Sequence, residues 1–269
     1  MKKIGMILTS LLLVAGLVTG CGSTPATPEK SNSGVPADIQ AIKDRGVLKV
    51  GVKVDVPKFG YKDPKTEVVD GFEIDLAKVI SKEILGEEKI ETTAVTAKTR
   101  GPLLDSGDVD LVIATFTVTE ERKKSYNFSD SYFTDGVKLM VKKDSGIKSL
   151  KDLDGKKIGV AQSATSKKAI QEAADKVGAK VNFLEYSTYP EIKAALVSGR
   201  VDCFSVDGSI LFGYLDDSTI ILDDSFSPQD YGVASKKGND GLAKLVNDTV
   251  AELKTSGELD KMIQKWGLK

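Results

Sequence analysis

The stretch Gly107-Asp-Val-Asp-Leu-Val-Ile-Ala-Thr-Phe-Thr-Val-Thr-Glu-Glu-Arg-Lys-Lys-Ser-Tyr-Asn-Phe-Ser-Asp-Ser-Tyr132 sets the reading of this chain. Its continuous apolar run, 111–114, is what a strand buried on both faces requires. The run leads into Thr115 and Thr117, and a helix start then delivers Arg122, five residues beyond Thr117. Hydroxyls and free backbone N–H groups at a helix start attract an anion. A planar guanidinium grips a carboxylate through two parallel hydrogen bonds. A buried strand therefore ends in groups suited to a small carboxylate.

The same punctuation occurs twice. Leu104-Asp-Ser-Gly-Asp-Val-Asp110 and Leu196-Val-Ser-Gly-Arg-Val-Asp202 share L-x-S-G-x-V-D. In each, a helical pattern stops at a glycine, which suits the left-handed position after a helix, and an apolar strand follows. Thr115 and Thr117 follow the first strand; Ser205 and Asp207 close the second. Ligands of open α/β sheets bind beyond the C-terminal strand ends. The echo predicts two similar lobes offering polar groups at one structural place.

Further strand-like runs at 48–52, 90–95, 157–160, 181–184 and 201–206 alternate with helical periodicity at 72–85, 167–177 and 191–197. Pro190 suits a first helical turn, with Thr188 and Glu191 as a capping box. This alternation predicts an α/β protein with parallel sheets covered by helices.

At the N-terminus, Lys2 and Lys3 precede an apolar run, 4–18, and then Thr19-Gly20-Cys21. A charged segment, a short apolar segment and a small residue before a cut mark a secretory signal. Residues 1–20 are the expected signal peptide. Residues 21–38, rich in Ser, Thr, Pro and Gly, are the expected flexible tether. The net charge of −1 gives no basic face for nucleic acid. There is no histidine, which removes the commonest general base and metal ligand. Besides Cys21 only Cys203 exists, so no Cys/His metal spacing arises, and its apolar strand context predicts an inert buried thiol. No nucleophile has an adjacent base, and no glycine-rich phosphate loop is present. The chain reads as a non-enzyme without a cofactor or metal.

The chain resembles solute-binding proteins of polar amino-acid ABC importers, with the type II periplasmic binding fold (family 3). The motifs are Leu48-Lys-Val-Gly-Val52, Gly71-Phe-Glu-Ile-Asp-Leu-Ala77, Thr117-Val-Thr-Glu-Glu-Arg122, Asn127-Phe-Ser-Asp-Ser-Tyr132, Val160-Ala-Gln-Ser-Ala-Thr-Ser166 and Lys265-Trp266-Gly267. Within the family it looks most like the aspartate/glutamate receptors, through Ala97-Lys-Thr-Arg-Gly-Pro-Leu-Leu104 and Val206-Asp-Gly-Ser-Ile-Leu211. Val-Thr-Gly before Cys21 likewise resembles a lipoprotein cleavage motif.

The resemblance implies two Rossmann-like lobes, 46–139 plus 231–268 and 140–230, joined by two hinge crossings. It implies that Arg122 holds a ligand α-carboxylate, with Thr117 and the backbone of Thr115 beside it. Thr165 and Ser166 would add contacts from the second lobe, and Asp207 would bind the α-ammonium. Arg100, in a loop, and Lys53 would meet a side-chain carboxylate, with Tyr189 as a wall. That charge set favours aspartate or glutamate. A neutral polar ligand such as glutamine or cysteine is the alternative, as is a surface adhesin or signalling protein. The expected partners are a permease and the membrane, the latter through a lipid such as palmitate on Cys21. The expected state is a monomer on the outer face of the cytoplasmic membrane.

Overall fold

The computed structural model describes residues 34–268. The expected signal peptide, Cys21 and its lipid lie outside them. Residues from Val35 onward make one compact unit. The first helix, Ala37–Arg45, starts two residues inside the expected tether. It buries Ile39 and Ile42 and receives the Leu242 N–H on Asp38, which packs it against helix Asp240–Thr255.

Two sheets organise the chain. The first has the strand order Ile90–Ala94, Leu48–Val52, Leu111–Ile113, Ala234–Lys236, Tyr126–Phe128. Its first three strands are parallel, as expected, and Ala234–Lys236 runs antiparallel to both of its neighbours. The second sheet has the order Asn182–Tyr186, Lys157–Ala161, Cys203–Asp207, Phe133–Lys142, Thr219–Ile221, with Phe226–Tyr231 also paired to Phe133–Lys142. Here too the first three strands are parallel, and Phe133–Lys142 runs antiparallel to each of its neighbours. The expectation of wholly parallel sheets is thus corrected. One strand in each sheet, Ala234–Lys236 and Phe133–Lys142, runs against the parallel set, and antiparallel neighbours need no helical crossover.

Leu111–Ile113 is buried at every position, as its unbroken apolar run requires. Helix Phe72–Leu85 buries Phe72, Ile74, Leu76, Ala77, Ile80 and Ile84. Helix Tyr189–Val197 starts earlier than its apolar spacing implied, and its Thr188/Glu191 capping box is formed. Both repeated glycines are left-handed, Gly107 at φ +79° and Gly199 at φ +74°. Each precedes a fully buried strand, Leu111–Ile113 and Cys203–Asp207. Cys203 is fully buried, and burial pushes its thiol well above the ordinary range. Among the described residues no helix is long and apolar enough to cross a membrane, and no group of acidic or Cys side chains could hold a metal ion.

Candidate ligand site between two strand-end clusters

Strand Leu111–Ile113 ends at Ala114 and Thr115, and Thr115 adopts φ +45°. That left-handed turn costs a non-glycine residue energy and persists only where neighbours over-determine it. Here they do. The Thr115 N–H donates to Glu73 Oε1 at 2.6 Å. The Ala114 and Thr115 carbonyls accept from Arg100 Nη1 at 2.7 and 3.1 Å. Thr119, extended, caps the next helix by accepting the Arg122 N–H at 3.1 Å. Thr117 is therefore free of capping, and its hydroxyl donates to Gln229 Oε1 at 2.9 Å.

Arg122 lies on helix Glu120–Ser125 and turns back into the site. Its Nη1 donates to the Thr117 carbonyl at 2.7 Å, and its Nη2 reaches the Ser163 carbonyl of the second lobe at 3.1 Å. Its guanidinium lies 4.8 Å from the Phe116 ring centroid. Burial first, then the nearby Arg100 charge, draws its pKa down to about 9. A second anion in this place would be welcome on both counts.

From the second lobe, Asp207 ends strand Cys203–Asp207 and is buried. It precedes helix Gly208–Phe212 yet makes no side-chain cap bond. Its Oδ2 instead accepts the Tyr231 hydroxyl. Burial pushes its carboxyl up to about 7; Asp135 adds to this, while the Tyr231 hydrogen bond, Arg100 and Arg122 oppose it. Arg122 and Asp207, from different lobes, are thus within electrostatic reach of each other.

Three of the expected site residues behave differently from expectation. Arg100 is the first residue of helix Arg100–Ser106, not a loop residue. It is 3% exposed, lies 4.0 Å from the Phe116 ring centroid and spends Nη1 on backbone carbonyls. That commits Nη1 to the strand end, while Nε has no hydrogen-bond partner. Lys53 is 2% exposed, but its Nζ is 2.9 Å from Asp55 Oδ1 and 4.6 Å from the Tyr189 ring centroid. Burial lowers its pKa and Asp55 raises it. It is a paired charge, not a free one. Thr165 donates its hydroxyl to Gln229 Oε1 at 2.6 Å. Tyr189 is buried against Phe204 and Tyr214, which suits the expected wall. Ser166, at the start of helix Ser166–Val177, is 1% exposed.

Sequence reasoning missed Asp55, Glu73 and Gln229. Asp55 stands two residues beyond Lys53, past the same strand end. Glu73 was visible inside the Gly71–Ala77 motif, but a glutamate in a first helical turn ordinarily reads as a solvated helix-dipole partner. In fact it is fully buried, with Tyr132 O–H and Thr115 N–H on Oε1 at 2.5 and 2.6 Å. Burial raises its pKa to about 7, against those two hydrogen bonds and the charges of Arg100 and Lys53.

Six buried side-chain polar atoms lack a hydrogen bond among the described residues. Five belong to this cluster: Asp55 Oδ1, Glu73 Oε2, Arg100 Nε, Thr115 Oγ1 and Ser166 Oγ. Asp55 Oδ1 has its ion contact with Lys53, but at an angle outside hydrogen-bond geometry. Folded proteins rarely leave such atoms unpaired, and their concentration in one place marks a site for a polar ligand.

The chain is 40% identical over 270 residues to the ABC transporter glutamine-binding protein GlnH of Bacillus subtilis, covering 99% of this chain and 97% of the relative. It is 42% identical over 257 residues to a glutamine-binding protein of Geobacillus stearothermophilus, covering 91% and 96%. A solved ancestral arginine-binding protein bound to glutamine superposes with a TM-score of 0.74 at 38% identity, covering 84% of this chain and 99% of that one. The expected nearness to aspartate/glutamate receptors is not supported, since both of these relatives are named for glutamine. Residues 48–269 match the model for bacterial extracellular solute-binding proteins, family 3, and the chain belongs to that family.

Proposed function

We propose that this protein captures glutamine between its lobes and delivers it to the permease of an ABC importer. The observation that carries the choice of ligand is the Lys53–Asp55 pair at 2.9 Å beside Tyr189. An ammonium next to a carboxylate offers a donor to an amide carbonyl and an acceptor to an amide N–H. It offers no net charge to a side-chain carboxylate. Glutamine-binding relatives support the same reading.

Charge counting now favours the neutral ligand. With every group ionised, Lys53, Arg100 and Arg122 set three positive charges against three negative ones on Asp55, Glu73 and Asp207. A zwitterion with an uncharged side chain keeps that balance, and glutamate would break it in a desolvated site. The acidic ligand first expected rested on Arg100 and Lys53 being unpaired.

In this reading Arg122 holds the α-carboxylate, and Thr117 and the backbone of Thr115 are further contacts of the ligand. Asp207 takes the α-ammonium. Thr165 and Ser166 close from the second lobe, Tyr189 walls the side chain, and Lys53 with Asp55 reads the amide. Arg100 braces the Ala114–Thr115 turn. Residues 46–139 with 231–268, and 140–230, would move as the two lobes. Lipid on Cys21 would hold the receptor at the outer face of the membrane. Calorimetric titration of protein stripped by partial unfolding tests the ligand. We expect tight binding of glutamine and much weaker binding of glutamate, aspartate and arginine; a preference for glutamate would reject the reading.

A further inference from the structure

Gln229 sits where the chain passes from one lobe to the other. It lies on strand Phe226–Tyr231, paired opposite Asp135 of Phe133–Lys142. Two residues further on, Tyr231 bridges Thr117 of the first lobe, while Phe226 pairs with Val137, which itself pairs with Asp207 of the second. The side chain is 2% exposed, and every polar atom on it is used. Its Oε1 accepts from Thr117 Oγ1 at 2.9 Å and from Thr165 Oγ1 at 2.6 Å. Its Nε2 donates to the Ser227 carbonyl at 2.9 Å.

The orientation of this amide follows from chemistry. The Ser227 carbonyl can only accept, so the nitrogen must face it and the oxygen must face the two hydroxyls. Both threonines therefore donate. Ser227 itself holds φ +46°, next to a break in strand register between Phe226 and Pro228. The amide thus also ties down an irregular turn within the crossing.

We propose that Gln229 is a positioning residue that bridges the closed lobes: one oxygen gathers a hydroxyl from each, and the bridge stands only while the lobes are together. A second consequence concerns the ligand and rests on the function proposed above. With their protons committed to Gln229, Thr117 and Thr165 present lone pairs to the cleft. They would accept from the ligand's ammonium or amide N–H groups, leaving the α-carboxylate to Arg122 and backbone donors.

The test is a mutant cycle read by stopped-flow release of glutamine. Gln229→Leu keeps the volume and removes both acceptor and donor. Losing a pair of neutral buried hydrogen bonds corresponds to release faster by about tenfold, with association little changed because the lobes are open at encounter. Gln229→Glu keeps the acceptor and should retain most of the slow release. In a Thr117→Val, Thr165→Val background, Gln229→Leu should add less than about twofold, because partners of one bridge do not act independently. Release within twofold of the parent for Gln229→Leu, or full multiplication of its effect in the valine background, would overturn the bridge. If the parent protein does not bind glutamine, the functional reading falls instead. Stopped-flow release of whichever of the twenty amino acids calorimetry shows to bind then decides the bridge: faster release from Gln229→Leu supports it, and equal release rejects it.

Discussion

At the scale of single residues, the site works because groups that water would normally solvate are held by one another. Asp55 is the most instructive. Replacing it by asparagine leaves Lys53 buried without its counter-charge. A stranded buried charge costs roughly 2–5 kcal/mol, and a ligand carboxylate would relieve it. Asp55→Asn should therefore lower the glutamate-to-glutamine Kd ratio by at least about tenfold, measured by calorimetry on both ligands. Asp207 yields a pH dependence of definite sign. Its folded carboxyl sits at about 7, above the ordinary value of 3.8. Its stabilising contribution to the ligand-free protein is thus full below the unfolded pKa and is lost as pH rises through 7. A ligand ammonium favours the ionised form, so binding below pH 7 must expel a proton. Affinity should fall by about tenfold per unit of acidification below pH 7. Titrations at pH 6 in buffers of different ionisation enthalpy should show release of close to one proton. A buffer-independent heat would remove Asp207 from its role.

At the scale of elements, the first turn of helix Phe72–Leu85 carries more than its length suggests. Gly71 precedes it at φ +148°, and a Cβ there would lie 2.1 Å from the Phe59 carbonyl oxygen. Only glycine lets the helix begin so close to that loop, and this placement sends Glu73 inward beneath Thr115. Glu73 then holds the end of strand Leu111–Ile113 through the Thr115 N–H and holds Tyr132 through its hydroxyl. Glu73→Leu orphans both donors in the core. At about 1–3 kcal/mol for each unsatisfied donor, it should lose roughly 2–5 kcal/mol in urea unfolding. Glu73→Gln keeps an acceptor for both and cannot ionise. Wild-type Glu73 titrates at about 7 in the folded state against 4.5 unfolded. Its stabilising contribution is therefore full below pH 4 and lost on the way up through 7. Glu73→Gln should flatten that part of the stability profile; denaturant midpoints from pH 4 to 8 give the comparison.

At the scale of the whole molecule, closure brings the lobes to contact distance at points with no slack. Gly213 follows helix Gly208–Phe212 in the second lobe, and a Cβ on it would lie 2.9–3.0 Å from the ring carbons of Pro57 in the first. Its φ of −68° suits any residue, so the backbone carries no strain of its own. Gly213→Val should hinder only the closed arrangement. We expect Kd for glutamine to rise by about tenfold or more, since overpacking of a tight contact costs ~1–3 kcal/mol, while the melting temperature of ligand-free protein stays unchanged. A loss of melting temperature with unaltered affinity would contradict this.

Residues 107–132 and the repeated L-x-S-G-x-V-D determined the α/β class, the paired strand ends and the placement of Arg122 and Asp207, because each is written in local spacing: an apolar run, a left-handed glycine, a polar residue at the strand end. The antiparallel strands were not legible, since strand direction depends on the path between lobes and not on any local period. The expected acidic ligand, which the glutamine-named relatives do not support, has the same origin. Lys53 and Arg100 look like free cations in a sequence, and only tertiary structure sets Asp55, Phe116, Glu73 and the backbone carbonyls against them. Whether a buried charge is available to a ligand depends on which partners, distant along the chain, have already neutralised it.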